Sequence, residues 1–169
     1  VRNLKGLAFG DENKFMHKEI GFNYRMTNIQ AAIGYAQLQK IQRIISSKRE
    51  IYHYYIQHLD GVPFIKTPIE KDYAKSVFWM FHIVLTGLAK DLRSKIMYEL
   101  LQKGIETREG FIPYNMQEIF IEKGVTKINE CPVANEIALR GFYIPSGPFL
   151  KKVDQDFVIE SLKGILNAL

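Results

Sequence analysis

One cysteine, Cys131, stands in 169 residues, so no disulfide can close within the chain, and the disulfide-stapled class of small folds is excluded. That usage suits a reducing cytoplasm. Histidine is scarce: His17, His53, His58 and His82 are the four, and none stands at a metal-ligand spacing to another or to Cys131. No P-loop and no Gly-x-Gly-x-x-Gly run is present, which removes the two commonest glycine-built phosphate cradles. No apolar run approaches the ~20 residues of a membrane span. Twelve glycines and six prolines without a period exclude a collagen-like or low-complexity chain. An initiator methionine is missing too. Val1-Arg2-Asn3-Leu4-Lys5-Gly6 is neither a start nor a signal peptide, and the expectation is a chain that begins mid-stream, as a fragment or a processed product.

What is present is globular. Hydrophobic residues make up 47% and charged residues 24%, enough for a packed core and too apolar for disorder. The length suits one domain or part of a larger one. Lys and Arg total 23 against 18 Asp and Glu, a net charge of +5 that permits an acidic partner such as a phosphorylated small molecule. The basic residues are dispersed. Their densest group, Lys40, Arg43, Lys48 and Arg49, is interrupted by isoleucines at helical spacing and reads as a solvated helix face rather than a nucleic-acid groove.

Residues 1–26 read as loop and short strand, with Phe15, Phe22 and Tyr24 as local anchors. Thr27 or Asn28 caps a helix, and apolar residues from Ile29 through Ile45, Tyr52, Tyr55 and Leu59 continue at helical period to the stop at Asp60-Gly61-Val62-Pro63. A helix that long is expected to kink, bend or cross between domains. Ser76 to Leu85 reads as a strand, with Trp79 and Phe81 assigned to the core. Asp91 is the expected cap of a helix to Gln102, and Gly104 its stop. Ile105–Arg108 is a strand candidate, Gln117–Gly124 a short helix, and Cys131–Leu139 a helix with Pro132 in its first turn. Cys131 is expected to be buried and inert. Gly141–Pro145 reads as a strand, and Asp154 or Asp156 as the start of the last helix. Alternating strands and helices give an α/β or α+β layer, helices covering one face of a small sheet.

The segment Gly21-Phe22-Asn23-Tyr24-Arg25-Met26-Thr27-Asn28-Ile29-Gln30-Ala31-Ala32-Ile33-Gly34 closely resembles a block of the DegT/DnrJ family of nucleotide-sugar aminotransferases. Downstream, Gly104-Ile105-Glu106-Thr107-Arg108, Phe111, Pro113 and Gln117 resemble that family's Gly-Ile-x-Thr-Arg, Phe-x-Pro and Gln stretch, Cys131-Pro132-Val133-Ala134-Asn135-Glu136 loosely matches its Cys-Pro-x-Ala-Glu region, and Leu139 through Pro145 with Pro148-Phe149-Leu150 resembles its ending. The resemblance implies the C-terminal part of an aspartate-aminotransferase-type fold, the fold type I of pyridoxal-phosphate enzymes. It divides the chain into the end of a large domain with an active-site loop at 1–26, a long connecting helix at 27–60, and a C-terminal small domain at 61–169.

The same resemblance implies a homodimeric enzyme that uses pyridoxal phosphate to move an amino group, from glutamate, to a nucleotide-linked keto-sugar; perosamine-synthase-like members are nearest. The Schiff-base lysine of the family lies upstream of the matching region. Lys14 and Lys127 lack its context, so no catalytic residue is assigned. The resemblance places Asn23 where the family reaches the cofactor phosphate; Arg25 beside it is the candidate for an anionic group of cofactor or substrate, or for a structural ion pair at the helix start. Arg108, Tyr114 and Asn115 fall on the loop that faces the nucleotide sugar, and His17 is a candidate to line the sugar site. Many members have His where Asn115 stands, and an amide cannot serve as acid or base there. The alternative from another class is a catalytically inactive, stand-alone α/β module that dimerises through its long helix. Neither reading involves nucleic acid or a membrane.

Overall fold

The structure, a computed structural model, describes residues 2–8, 17 and 19–169; Lys14 and Phe15 lie outside them. The chain divides into two compact units, Val1–Gln42 and Arg43–Leu169.

The first unit is small. A short helix, α1 (Arg2–Lys5), leads into Gly6, which pairs with Asn23 in an isolated antiparallel bridge. Leu7 N–H donates to the Phe22 carbonyl at 3.1 Å, and Tyr24 N–H to Lys5 at 2.9 Å. Gly21 is required here, because a Cβ would lie 2.3 Å from the Leu7 carbonyl carbon. Phe22 and Tyr24 stack on each other at 5.2 Å but are exposed rather than anchoring. Helix α2 (Asn28–Leu38) starts with the expected cap: Thr27 Oγ1 accepts from Gln30 N–H, and Gln30 Oε1 accepts from Thr27 N–H at 2.9 Å, which satisfies two free donors reciprocally. No residue of α2 is buried, although Ile29, Ile33, Tyr35 and Leu38 are apolar.

The long helical period is not one helix. It breaks at Gln39 and Lys40, and α3 (Ile41–Leu59) follows. α3 leads into the second unit and presents Ile51, Tyr52, Tyr55 and Leu59 to its core. That core is laid on a four-stranded antiparallel sheet in the order β1-β2-β4-β3: β1 (Ile65–Lys66), β2 (Phe81–Leu85), β4 (Gly141–Ile144) and β3 (Arg108–Glu109). Phe81, Ile83 and Leu85 alternate inward along β2, joined by Phe142 and Ile144 of β4. They pack against α3, Ile96 and Leu100 of α4 (Arg93–Gln102), and Val158, Ile159, Leu162, Ile165 and Leu166 of α7 (Lys152–Asn167). Each such side chain contributes roughly 1.5–3 kcal/mol on burial, so this layer carries the stability of the unit. Two short helices, α5 (Glu118–Glu122) and α6 (Pro132–Arg140), occupy the connection between β3 and β4.

Five further expectations are corrected. The strand expected from Ser76 begins only at Phe81, because Phe78 turns into the left-handed region at φ 45° and inserts its ring against Tyr52, centroids 3.4 Å apart. Trp79 consequently falls outside the strand alternation and is 63% exposed, while Phe81 is core. Helix α4 is entered through Leu92 with no side-chain cap, so Asp91 does not cap it, and α7 begins at Lys152, ahead of Asp154. Cys131 is exposed rather than buried, since it sits at the N-terminus of α6 beside a 3-10 turn.

Candidate functional site

Sheet register builds the site. His82 of β2 stands opposite Tyr143 of β4, and Tyr143 stands opposite Arg108 of β3. Directly opposed residues of antiparallel strands share a face, so Arg108, Tyr143 and His82 form one row across three strands on the face away from the core. Arg108 is exposed, its guanidinium 3.6 Å from Glu106. The imidazole of His82 lies 4.7 Å from the Tyr143 ring and is inset so far that a Cβ on Gly141 would lie 2.2 Å from it and one on Gly110 3.1 Å. The two glycines therefore make room for the ring. Among the described residues His82 Nε2 has no hydrogen-bond partner, and burial pushes the His82 pKa down, which favours the neutral ring.

Around this row lies a cleft of about 440 Å³, walled by Trp79, Phe111, Tyr143 and Ile137 with His82 at its base. A second groove shares Trp79, Met80 and Tyr143 and runs past Arg108 and Lys48 to the turn at Ser146–Pro148. Trp79 and Phe111 are nearly parallel, 9° between planes with centroids 6.1 Å apart. Tyr143 lies 6.0 Å from Phe111 and 6.4 Å from Trp79.

Two basic residues of α3 hold this wall in place. Lys48, read from sequence as part of a solvated face, is buried instead: its Nζ donates to the Trp79 carbonyl at 2.7 Å and to the Ser146 carbonyl. Burial lowers its pKa. Arg49 donates two bonds of 2.8 Å to the Glu70 carboxylate, and Glu70 also accepts from Ser76 N–H at 2.8 Å. The Arg49 bonds, then the Ser76 N–H, hold Glu70 down to a pKa of about 2. The irregular segment leading to Trp79 is thus pinned at Glu70, Ser76 and Trp79.

The remaining sequence candidates are distributed between the two units. Tyr114, half exposed, stacks on Phe120 at 4.1 Å. Asn115 is buried; its Nδ2 donates to the Ile128 carbonyl and to Asn135 Oδ1, each at 2.8 Å, so its amide braces the loop. In the first unit, Asn23 and Arg25 are exposed, and His17 Nδ1 lies 2.8 Å from the Leu7 carbonyl. Among the described residues Lys48 is the one buried lysine, and its amine is committed to two carbonyls. An exposed amide and guanidinium fit the chemistry of a cofactor phosphate. The sequence reading gave no site role to His82, Trp79, Tyr143 or Lys48. The alternation Phe81-His82-Ile83, with Phe81 inward, is the signal that could have placed His82 on the outer face. No group of acids, His and Cys among the described residues can hold a metal, and no helix there is long and apolar enough to cross a membrane.

Residues 2–163 match the model of the DegT/DnrJ/EryC1/StrS aminotransferase family. The chain is similar to a GDP-perosamine synthase of Escherichia coli O157:H7, 34% identical over 160 residues, which are 95% of this chain and 42% of that protein. It is 31% identical to a GDP-perosamine synthase of Vibrio cholerae over 98% of this chain and 44% of that protein. Its fold superposes on Helicobacter pylori PseC, an aminotransferase involved in the biosynthesis of pseudoaminic acid, with a TM-score of 0.88 and 19% identity over 99% of this chain and 45% of that one. The chain therefore spans less than half the length of the relatives it matches.

Proposed function

Since this chain belongs to the DegT/DnrJ/EryC1/StrS aminotransferase family, we propose that it forms the C-terminal region of a cytoplasmic, pyridoxal-phosphate-dependent enzyme that transfers an amino group, from glutamate, to a keto-sugar carried on a nucleoside diphosphate. The observation that carries this reading is the match across residues 2–163, which includes both the Asn23–Arg25 block and the Arg108 loop. The relatives named GDP-perosamine synthase favour a GDP-linked sugar. In this reading residues 1–26 close the large domain, 27–60 connect, and 61–169 are the small domain, with the connection broken at Gln39 and Lys40.

Pyridoxal phosphate, when bound, supplies the electron sink for amino transfer. The Schiff-base lysine is not among the residues this chain contributes, so the chain alone is inactive. Its own residues bind and orient. Asn23 and Arg25 hold the cofactor phosphate, the amide as a neutral donor and the guanidinium as a planar charged fork. Arg108, 74% exposed at its side chain, takes the substrate diphosphate, and Glu106 at 3.6 Å steers it. Tyr114 and His17 complete the sugar side, while Asn115 acts through the loop it braces. The exposed apolar residues of α2 favour a covering surface, supplied by the rest of the enzyme or by a second copy in a homodimer.

The test separates the two binding roles in a complete enzyme carrying this segment. Asn23→Ala should weaken cofactor retention about ten- to a hundredfold, the value of one hydrogen bond to a charged group at roughly 1.5–3 kcal/mol. Arg108→Ala should raise KM for the nucleotide sugar and leave cofactor retention intact. Equal effects of both substitutions on the cofactor, or none from Asn23→Ala, would overturn the assignment.

A further inference from the structure

We propose that Lys48 is a positioning residue for substrate binding: its one buried ammonium sets the spacing between the two walls of the groove on which Arg108 lies. The identity of the substrate rests on the aminotransferase reading above; the device itself rests on geometry.

Both walls are irregular backbone. The pairing of β2 with β4 ends at Phe81 and Ile144, and Pro145, next in the chain, has no N–H with which to continue it. The segment before Phe81 and the turn at Ser146–Pro148 therefore have no ladder between them. Helix α3 takes over at that point. The Tyr55 hydroxyl donates to the Pro145 carbonyl at 2.8 Å, Lys48 Nζ to the Ser146 carbonyl, and the Ser47 hydroxyl to the Pro148 carbonyl. Of these three side chains, Lys48 alone also bonds the opposite wall, at the Trp79 carbonyl, 2.7 Å away. Its third contact is 3.3 Å to Ser146 Oγ. That hydroxyl oxygen accepts from Phe81 N–H at 3.2 Å, which closes a ring of bonds across the end of the strand pair. Lys48, Trp79, Ser146, Pro148 and Arg108 line one groove.

The energetics say what the charge is for. Lys48 is 8% exposed, and an ammonium taken out of water is costly unless its N–H groups find acceptors. An apolar side chain of the same length would fill the space without that cost. It could not tie acceptors on two walls to a single point. Walls fixed before the ligand arrives do not have to be ordered by it, so the gain falls on binding and not on the chemical step. Arg108 is the group that meets the diphosphate; Lys48 acts through the backbone on either side.

Lys48→Met keeps the length and removes the donors. In a complete enzyme carrying this segment it should raise KM for a GDP-linked keto-sugar about tenfold, with kcat within about twofold and cofactor retention unchanged. Lys48→Arg, which keeps charged donors, should recover most of the loss. A second readout needs no substrate. Trp79 is the only tryptophan in the sequence, and the fast component of its fluorescence anisotropy decay should grow about twofold or more in the 169-residue chain carrying Lys48→Met. An unmoved KM, a fall in kcat alone, a Lys48→Arg enzyme no better than Lys48→Met, or a Lys48→Met protein that does not fold overturns the proposal. Failure of the aminotransferase reading looks different: Trp79 loosens in the Lys48→Met chain, and the complete enzyme with Lys48 intact transfers no amino group.

Discussion

Gly141→Ala is the perturbation through which the geometry of the site can be read most clearly. Gly141 stands opposite Val84 in the sheet and beneath the His82 ring. An alanine Cβ there would lie 2.2 Å from His82 Cε1, 2.3 Å from Nε2 and 2.6 Å from the Ile137 carbonyl oxygen. The first two contacts can be relieved if the imidazole swings out, but it is inset under Gly110 and packed on Tyr143 at 4.7 Å. The third is backbone of α6, and relieving it means shifting that helix against β4. Overpacking of this kind costs typically 1–3 kcal/mol, and the backbone contact places Gly141→Ala toward the upper end. Urea unfolding followed by Trp79 fluorescence, which reports on the second unit, measures it. The double variant His82→Ala/Gly141→Ala should recover part of the loss, because two of the three close contacts vanish; residues in contact couple by about 0.5–3 kcal/mol. A Gly141→Ala protein as stable as the parent, or a double variant whose losses simply add, would refute the packing of His82 against β4.

The acid limb of stability should depend on Glu70. Its folded pKa of about 2 lies below the ordinary value of 4.5, so its contribution is fully present above pH 4.5 and is lost as pH falls toward 2; Glu70→Gln should flatten the pH dependence of urea unfolding in that window and shift the parent's midpoint at neutral pH downward. A slope unchanged by the substitution would mean that Arg49 does not clamp the segment before Trp79. The chain should self-associate through α2, since Ile29, Ile33, Tyr35 and Leu38 are 75%, 61%, 66% and 64% exposed; light scattering should show mass rising with concentration, and Ile29→Lys/Ile33→Lys should abolish the rise. A monomer at all concentrations would contradict it.

Local signals carried much of the fold. The cap expected at Thr27 or Asn28 forms at Thr27, and Gln30, three positions on, closes a reciprocal box with it. Pro132 at the first turn of α6 and the apolar faces of α3 and α7 were equally local. What sequence could not show depended on partners distant along the chain. Lys48 looked like any helix-face lysine; its burial follows from two carbonyls 31 and 98 residues away. The strand before Phe81 looked continuous because the residues favour strand, and only the docking of Phe78 on Tyr52 breaks it. The row Arg108–Tyr143–His82 is a product of register, which three short strands do not announce. Resemblance supplied Arg108 and Asn115 but not the internal bonds that commit Asn115 to Asn135.

The most direct measurement is amino transfer itself. A complete enzyme carrying this segment is incubated with pyridoxal phosphate, ¹⁵N-labelled glutamate and a GDP-linked keto-sugar, and the sugar product is read by mass spectrometry beside the 169-residue chain under the same conditions. The expected result is label on the sugar in the complete enzyme and none with the chain alone. No labelled sugar from a folded, cofactor-loaded complete enzyme, or labelled sugar from the chain alone, would contradict the proposed function.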